Sequence, residues 1–186
     1  MAKWNDTDTP LAYLITVRSY GTWLHGDERG SIDRSMNKYG SPKIPHRPER
    51  RNYNESIMRS GPVYLDAPRR HVVEDAIREV CVYRNWGLPA LNVRTNHFHA
   101  VTITPGLKPF RALNSFKAYA TRRMRAFGLW TSDRFPWADK GSERWLWTEE
   151  SVANACDYVI NGQGCDLNDL ETWEALHGYE NEEPTR

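Results

Sequence analysis

LPALNVRTNHFHAVTIT, running from Leu88 to Thr104, is the stretch on which the fold turns. It is rich in apolar and β-branched residues, most densely from Ala100 to Thr104, and it predicts a strand or a bent pair of strands. At its centre lies His97-Phe98-His99. Successive side chains of a strand point to opposite faces, so the two imidazoles project together while Phe98 enters the core behind them. Their Cα atoms would stand about 6–7 Å apart, close enough for two imidazoles to share a metal ion. An isolated His-x-His is nonetheless more often two surface histidines on a half-polar strand, so the motif needs company before it carries a function.

Working outward, LAYLITVRSYGTWL (Leu11 to Leu24) alternates Tyr13, Ile15 and Val17 with Leu14, Thr16 and Arg18, the pattern of a second strand. Residues 25–61 form a polar stretch without periodicity, read as a long loop insertion. Val63 to Asp66 predicts a short strand. Pro68 to Trp86 predicts a helix with Val72, Val73, Ala76, Ile77 and Val80 on one stripe and Gly87 as its stop. A second helix is expected from Pro109 to Phe127, ahead of Gly128. Trp137 to Trp147 predicts a strand, or a hairpin turning at Asp139-Lys140-Gly141. Thr148 then has the character of an N-cap, with Glu149 and Glu150 in the first turn of a helix reaching about Asn161 and stopped by Gly162. Strands alternating with helices in this order predict an α+β fold, helices lying against an antiparallel sheet. Residues 1–164 form a single domain in this reading, and residues 165–186 an acidic C-terminal tail.

The composition is that of a globular protein: of 186 residues, 39% are hydrophobic and 26% charged. No apolar run approaches the ~20 residues of a membrane span, and the polar opening from Met1 to Pro10 lacks the apolar core of a secretory signal. Cys81, Cys156 and Cys165 show neither a paired nor a zinc-binding spacing, which suits a reducing cytoplasm. The formal net charge of +1 conceals an asymmetry. From Glu149 onward ten acids face one base, Arg186, which leaves 24 bases and 14 acids in residues 1–148, a net of +10. A basic body of this kind permits nucleic-acid binding without requiring it.

The last helix adds a possible nucleophile. Its apolar stripe is Val152, Ala155, Cys156, Val159 and Ile160, and Tyr158 lies away from the stripe's centre, on the side of Asn154 and Asn161. A tyrosine on the polar side of a helix is not core filling. It is either an exposed or interface residue or a reagent. Tyr119, the alternative, sits among the packing residues of the preceding helix.

These pieces together resemble the single-tyrosine His-hydrophobic-His transposases of small insertion sequences and their REP-associated relatives. The resemblance spans about Leu11 to Gly164. It rests on NHFHAV in a strand, the basic helix SFKAYATRRMR, the aromatic WADKGSERWLWTEES and the tyrosine helix NACDYVINGQG, with GTWLHGDERGSIDR resembling a longer-looped branch. It implies a ferredoxin-like α+β domain that cleaves and rejoins single-stranded DNA through a 5′-phosphotyrosine. Tyr158 would be the nucleophile. His97, His99 and Gln163 would hold a divalent metal, Mg²⁺ or Mn²⁺. Lys117, Arg122, Arg123 and Arg125 would track the phosphate backbone, with Trp137, Trp145 and Trp147 available for stacking on bases. The implied partner is hairpin-containing single-stranded DNA, and the implied assembly is a homodimer in which one subunit's tyrosine can serve the other's metal site. A domesticated hairpin-binding protein of the same fold, or a nickase of the replication-initiator or relaxase kind, are the alternatives.

One departure from the resemblance bears on geometry. Relatives often place the amide ligand four residues after the tyrosine, where this chain has Gly162, and its glutamine comes five residues after. A continuous helix would swing Gln163 about 140° away from Tyr158. Gly162 must therefore break or widen the helix for Gln163 to reach the histidines, and Asn161 is the competing ligand.

Overall fold

The computed structural model describes residues 9–28, 30 and 45–164. Strand β1 (Ala12–Ser19) forms where the alternation placed it. It serves two cores at once: Tyr13, Ile15 and Val17 are buried on one side and Ala12 and Leu14 on the other. Helix α1 (Pro48–Ser56) then appears inside the stretch expected to be all loop. It buries none of its residues, so no hydrophobic period announced it. It is tethered by polar contacts instead, such as Asn54 Nδ2 donating to the His25 carbonyl at 3.0 Å. The short strand expected at Val63 to Asp66 is absent. Its N–H groups make single bonds to neighbouring loops, Val63 to the Tyr20 carbonyl and Leu65 to the Thr95 carbonyl, with no ladder.

Helix α2 (Ala67–Tyr83) starts on Asp66, whose Oδ1 accepts from the Arg69 N–H at 3.0 Å. Its buried residues include Val73, Ala76, Ile77 and Val80 from the expected stripe. It ends three residues before Trp86 because Asn85 takes a left-handed φ of 52°, which asparagine tolerates. Gly87 therefore opens a strand, β2 (Gly87–Val93), where it was expected to close the helix. The decisive stretch is a hairpin of β2 with β3 (His97–Ile103), Val93 facing Phe98 and Asn92 facing His99. Helix α3 (Pro109–Ala126) follows. Then β4 (Trp137–Leu146) runs as one strand through Asp139-Lys140-Gly141. Gly141 serves close approach there and not a turn: a Cβ would stand 2.6 Å from the Thr16 carbonyl oxygen and 2.5 Å from Leu113 Cδ1. Helix α4 (Glu149–Ile160) closes the fold on a capping box in which Thr148 and Ser151 each accept from the other's N–H at 3.1 Å.

The four strands form an antiparallel sheet in the order β2-β3-β1-β4, the ferredoxin-like arrangement. Helices α2 and α3 cover one face, where Ile15, Val17, Phe98 and Ala100 meet Val73, Ile77, Phe116 and Met124. Helix α4 covers part of the other, with Ala155 and Val159 on Leu14, Ala90, Val101 and Leu146. Ile160, assigned to the apolar stripe, is exposed because the stripe already ends at Val159. No helix of the described residues is long and apolar enough to cross a membrane. The acidic tail from residue 165, and residues 31–44 of the insertion, lie outside the described residues.

Candidate active site

The site is set by β3. Phe98 is fully buried and meets Phe116 and Trp137 edge-on, at ring separations of 6.4 and 5.4 Å. Strand alternation then forces His97 and His99 onto the face of α4, where their ring centroids are 4.7 Å apart. Each ring is held by a neighbour through Nδ1. The Thr16 hydroxyl lies 2.8 Å from His99 Nδ1, a contact made possible because Thr16 and His99 are paired across β1 and β3. His97 Nδ1 lies 2.6 Å from Asn96 Oδ1 and donates to it. Burial, with the charges of His97 and Arg18, lowers the His99 pKa to about 4 against an opposing hydrogen bond from Gln163, so this imidazole is neutral at physiological pH.

Helix α4 brings the tyrosine. Its apolar stripe docks on the sheet, and Asn92 Nδ2 donates to the Val159 carbonyl at 3.0 Å, fixing the C-terminal end of the helix against β2. The flank of the helix then points along the sheet, and the half-exposed Tyr158 ring lies 5.4 Å from that of His99.

Gln163 reaches the pair because the helix stops at Ile160. The Gly162 N–H donates to the Tyr158 carbonyl at 3.0 Å, and Gln163 Nε2 donates to the same oxygen at 3.1 Å. That folds the amide back, leaving Oε1 3.3 Å from His97 Nε2. Glycine is required at 162: a Cβ would sit 2.7 Å from the Tyr158 carbonyl oxygen and 3.0 Å from Cδ2 of its ring. Asn161, the competing candidate, points elsewhere and donates to Asp157 Oδ1 at 2.8 Å.

The basic residues of α3 are on the far side of the sheet. Lys117 is buried and donates to the carbonyls of Ala138 and Asp139 at 2.7 and 3.1 Å, which corrects its assignment as a phosphate contact. Burial lowers its pKa, with Asp139 opposing. Arg122 lies over the Tyr119 ring, Arg123 pairs with Glu79, and Arg125 donates to the Ser132 and Asp133 carbonyls. Tyr119 packs against the α2/α3 core, away from the histidines. Trp137, expected to be available for stacking, is core, its Nε1 donating to Thr121 Oγ1 at 3.0 Å. Trp145 is half exposed and lies beside Trp147.

Sequence reading missed Thr16, Asn96, Arg18 and Arg144. Asn96 directly precedes the motif and could have been marked by that alone. Thr16 and Arg18 become visible only through β1–β3 register, which sets Arg18 opposite His97. Arg144 lines, with His99 and Tyr158, a cleft of about 450 Å³ between α4 and the edge strand β4.

No family model and no curated protein matches this sequence. Among solved structures, similar chain paths occur in a REP-associated tyrosine transposase bound to a REP hairpin, at 14% identity and a TM-score of 0.44, covering 86% of this chain and 70% of that one. A proposed transposase from Deinococcus radiodurans R1 is similar at 14% identity and a TM-score of 0.42, covering 89% of this chain and all of that one.

Proposed function

We propose that this protein is a strand transferase for single-stranded DNA, of the transposase type. The observation that carries the reading is the convergence of Tyr158, His97, His99 and Gln163, drawn from β3 and from both sides of the α4 terminus, on one partly open spot of the sheet. The residues fit a divalent cation. With Nδ1–H of His97 donating to Asn96, its Nε2 offers a lone pair toward the oxygen lone pairs of Gln163 Oε1 only 3.3 Å away, two acceptors that a cation would reconcile. Among the described residues no three His, Cys, Asp or Glu side chains gather, so a cation here would rest on two imidazoles and an amide. Mg²⁺ or Mn²⁺ held by His97, His99 and Gln163 would supply Lewis-acid activation of the scissile phosphate, and the nitrogen-containing donor set favours Mn²⁺ over Mg²⁺.

The chain's own residues do the rest. The Tyr158 hydroxyl oxygen attacks phosphorus, its proton is released to solvent, the bond to the 3′-oxygen breaks, and that oxygen takes up a proton. The product is a 5′-phosphotyrosine and a free 3′-OH. Because one phosphodiester replaces another, the reverse attack by a 3′-OH rejoins strands without an added energy source. A neutral His99, kept so by burial, presents a lone pair at physiological pH. Arg18 and Arg144, on the face of α4, are better placed for the substrate phosphates than the α3 residues. Tyr158 lies beside the histidines of its own chain, which supports a reading in which each chain supplies its own nucleophile.

The test is a labelled hairpin-containing single strand incubated with Mn²⁺ and scored for covalent protein–DNA adduct. The wild type should form one, mapped to Tyr158 by mass spectrometry, and Tyr158→Phe should bind DNA without forming it. A mixture of Tyr158→Phe and His99→Ala should not regain activity. A nucleotide on any other residue, or binding with no adduct at all, would overturn the reading and leave a hairpin-binding protein.

A further inference from the structure

We infer that the cleft between α4 and β4 takes one nucleobase beside the scissile phosphate, and that Asn154 reads it. This rests on the strand-transfer reading and names its sequence-determining residue. Asn154 precedes Tyr158 by four residues on α4, so the two share a helix face about 6 Å apart along the axis. Both line the same cleft of about 450 Å³. The cleft is lined by the apolar Leu14 and Ala155 and by polar groups that include the Ser142 hydroxyl, the Glu150 carboxylate and the Arg144 guanidinium. The apolar part of that lining suits the flat face of a base.

Asn154 is exposed, and its side chain is engaged by no partner among the described residues. The amides around it are occupied: Asn92 on the Val159 carbonyl, Asn161 on Asp157, Gln163 on the Tyr158 carbonyl. A helix-borne amide offers a donor beside an acceptor, and a base of an unpaired strand presents an acceptor beside a donor on its exposed edge, so Asn154 can read one base through two hydrogen bonds whose register its place on the helix sets. Its place one helical turn from the nucleophile sets the base it reads next to the bond that is cut.

The experiment measures equilibrium binding of the full chain in a Tyr158→Phe background, to single strands carrying each of the four bases in turn at the positions flanking the cleavage site. Adduct formation by the otherwise wild-type chain is measured on the same strands. The Tyr158→Phe chain should prefer one of the four bases at one flanking position by about tenfold. Adding Asn154→Ala should flatten that preference and leave affinity for the other three bases within about twofold. The substitution removes an exposed asparagine from a helix and raises helix propensity, so the fold is retained. An equal loss for all four bases, an unchanged preference, or no preference before substitution would overturn the assignment. A base preference governed by Asn154 without adduct on any strand would overturn strand transfer and keep the reading residue, so the two failures are told apart.

Discussion

Replacing Gly162 by alanine should disable the site while sparing the fold. The added Cβ would lie 2.7 Å from the Tyr158 carbonyl oxygen and 3.0 Å from the tyrosine ring, where ordinary contacts begin at 3.4 Å. Relieving the first contact takes about 0.7 Å of movement, either of the Tyr158 turn or of the segment carrying Gln163. The same carbonyl anchors Gln163 Nε2 at 3.1 Å, so either movement separates the amide from His97. Misplacing a reacting group by about 1 Å costs on the order of 100-fold in rate, so adduct formation should fall by about 10- to 100-fold. Stability should change little. Crowding costs about 1 kcal/mol at the low end for overpacking, and the lost freedom of the unfolded chain returns about 0.4–1 kcal/mol. The net keeps Tm within about 4 °C. Adduct formation on a hairpin substrate and a thermal melt measure both effects. Gly61→Ala is the control, since a Cβ there meets nothing within 4 Å. If Gly162→Ala forms adduct at the wild-type rate, the fold-back of Gln163 is not what builds the site.

Further outcomes are expected from neighbouring residues. Gln163→Ala should weaken Mn²⁺-supported cleavage more than Asn161→Ala, because Asn161 is occupied by Asp157; the reverse order in a cleavage assay would move the ligand role to Asn161. Thr16→Val removes the oxygen 2.8 Å from His99 Nδ1 and should lower Mn²⁺ affinity by about tenfold in a calorimetric titration, with unchanged affinity counting against that orienting bond. His99 titrates near 4 in the folded protein against 6.5 in the unfolded chain, so between these values the unfolded chain binds more protons and stability falls as pH falls. In chelator-treated protein that loss should total about 3 kcal/mol by urea unfolding. His99→Gln should remove it from the difference between the two proteins, and parallel pH profiles would show that burial does not hold the proton off.

The sequence by itself determined most of the elements and the order of those that carry the chemistry. Alternation in Leu11 to Leu24 and around His97-Phe98-His99, and the 3.6-residue stripes of α2, α3 and α4, are local patterns that burial on one side imposes on a chain. So the α+β class, the same-face histidines and the polar placement of Tyr158 were all legible. Helix α1 was not, because it buries nothing and leaves no hydrophobic period. The continuation of β4 as one strand, with a register shift against β1 between Trp137 and Gly141, was not, because that glycine answers to Thr16 and Leu113, far away in sequence. Asp139-Lys140-Gly141 looked like a turn only while those neighbours were unknown. Tertiary structure alone decided which groups surround the two histidines. Thr16 meets His99 through strand register, Lys117 loses its ammonium to the Ala138 and Asp139 carbonyls, and Gln163 rather than Asn161 turns back to His97. Each of these depends on which face of the sheet a helix covers and where it stops, and those are set by packing between segments distant in the chain.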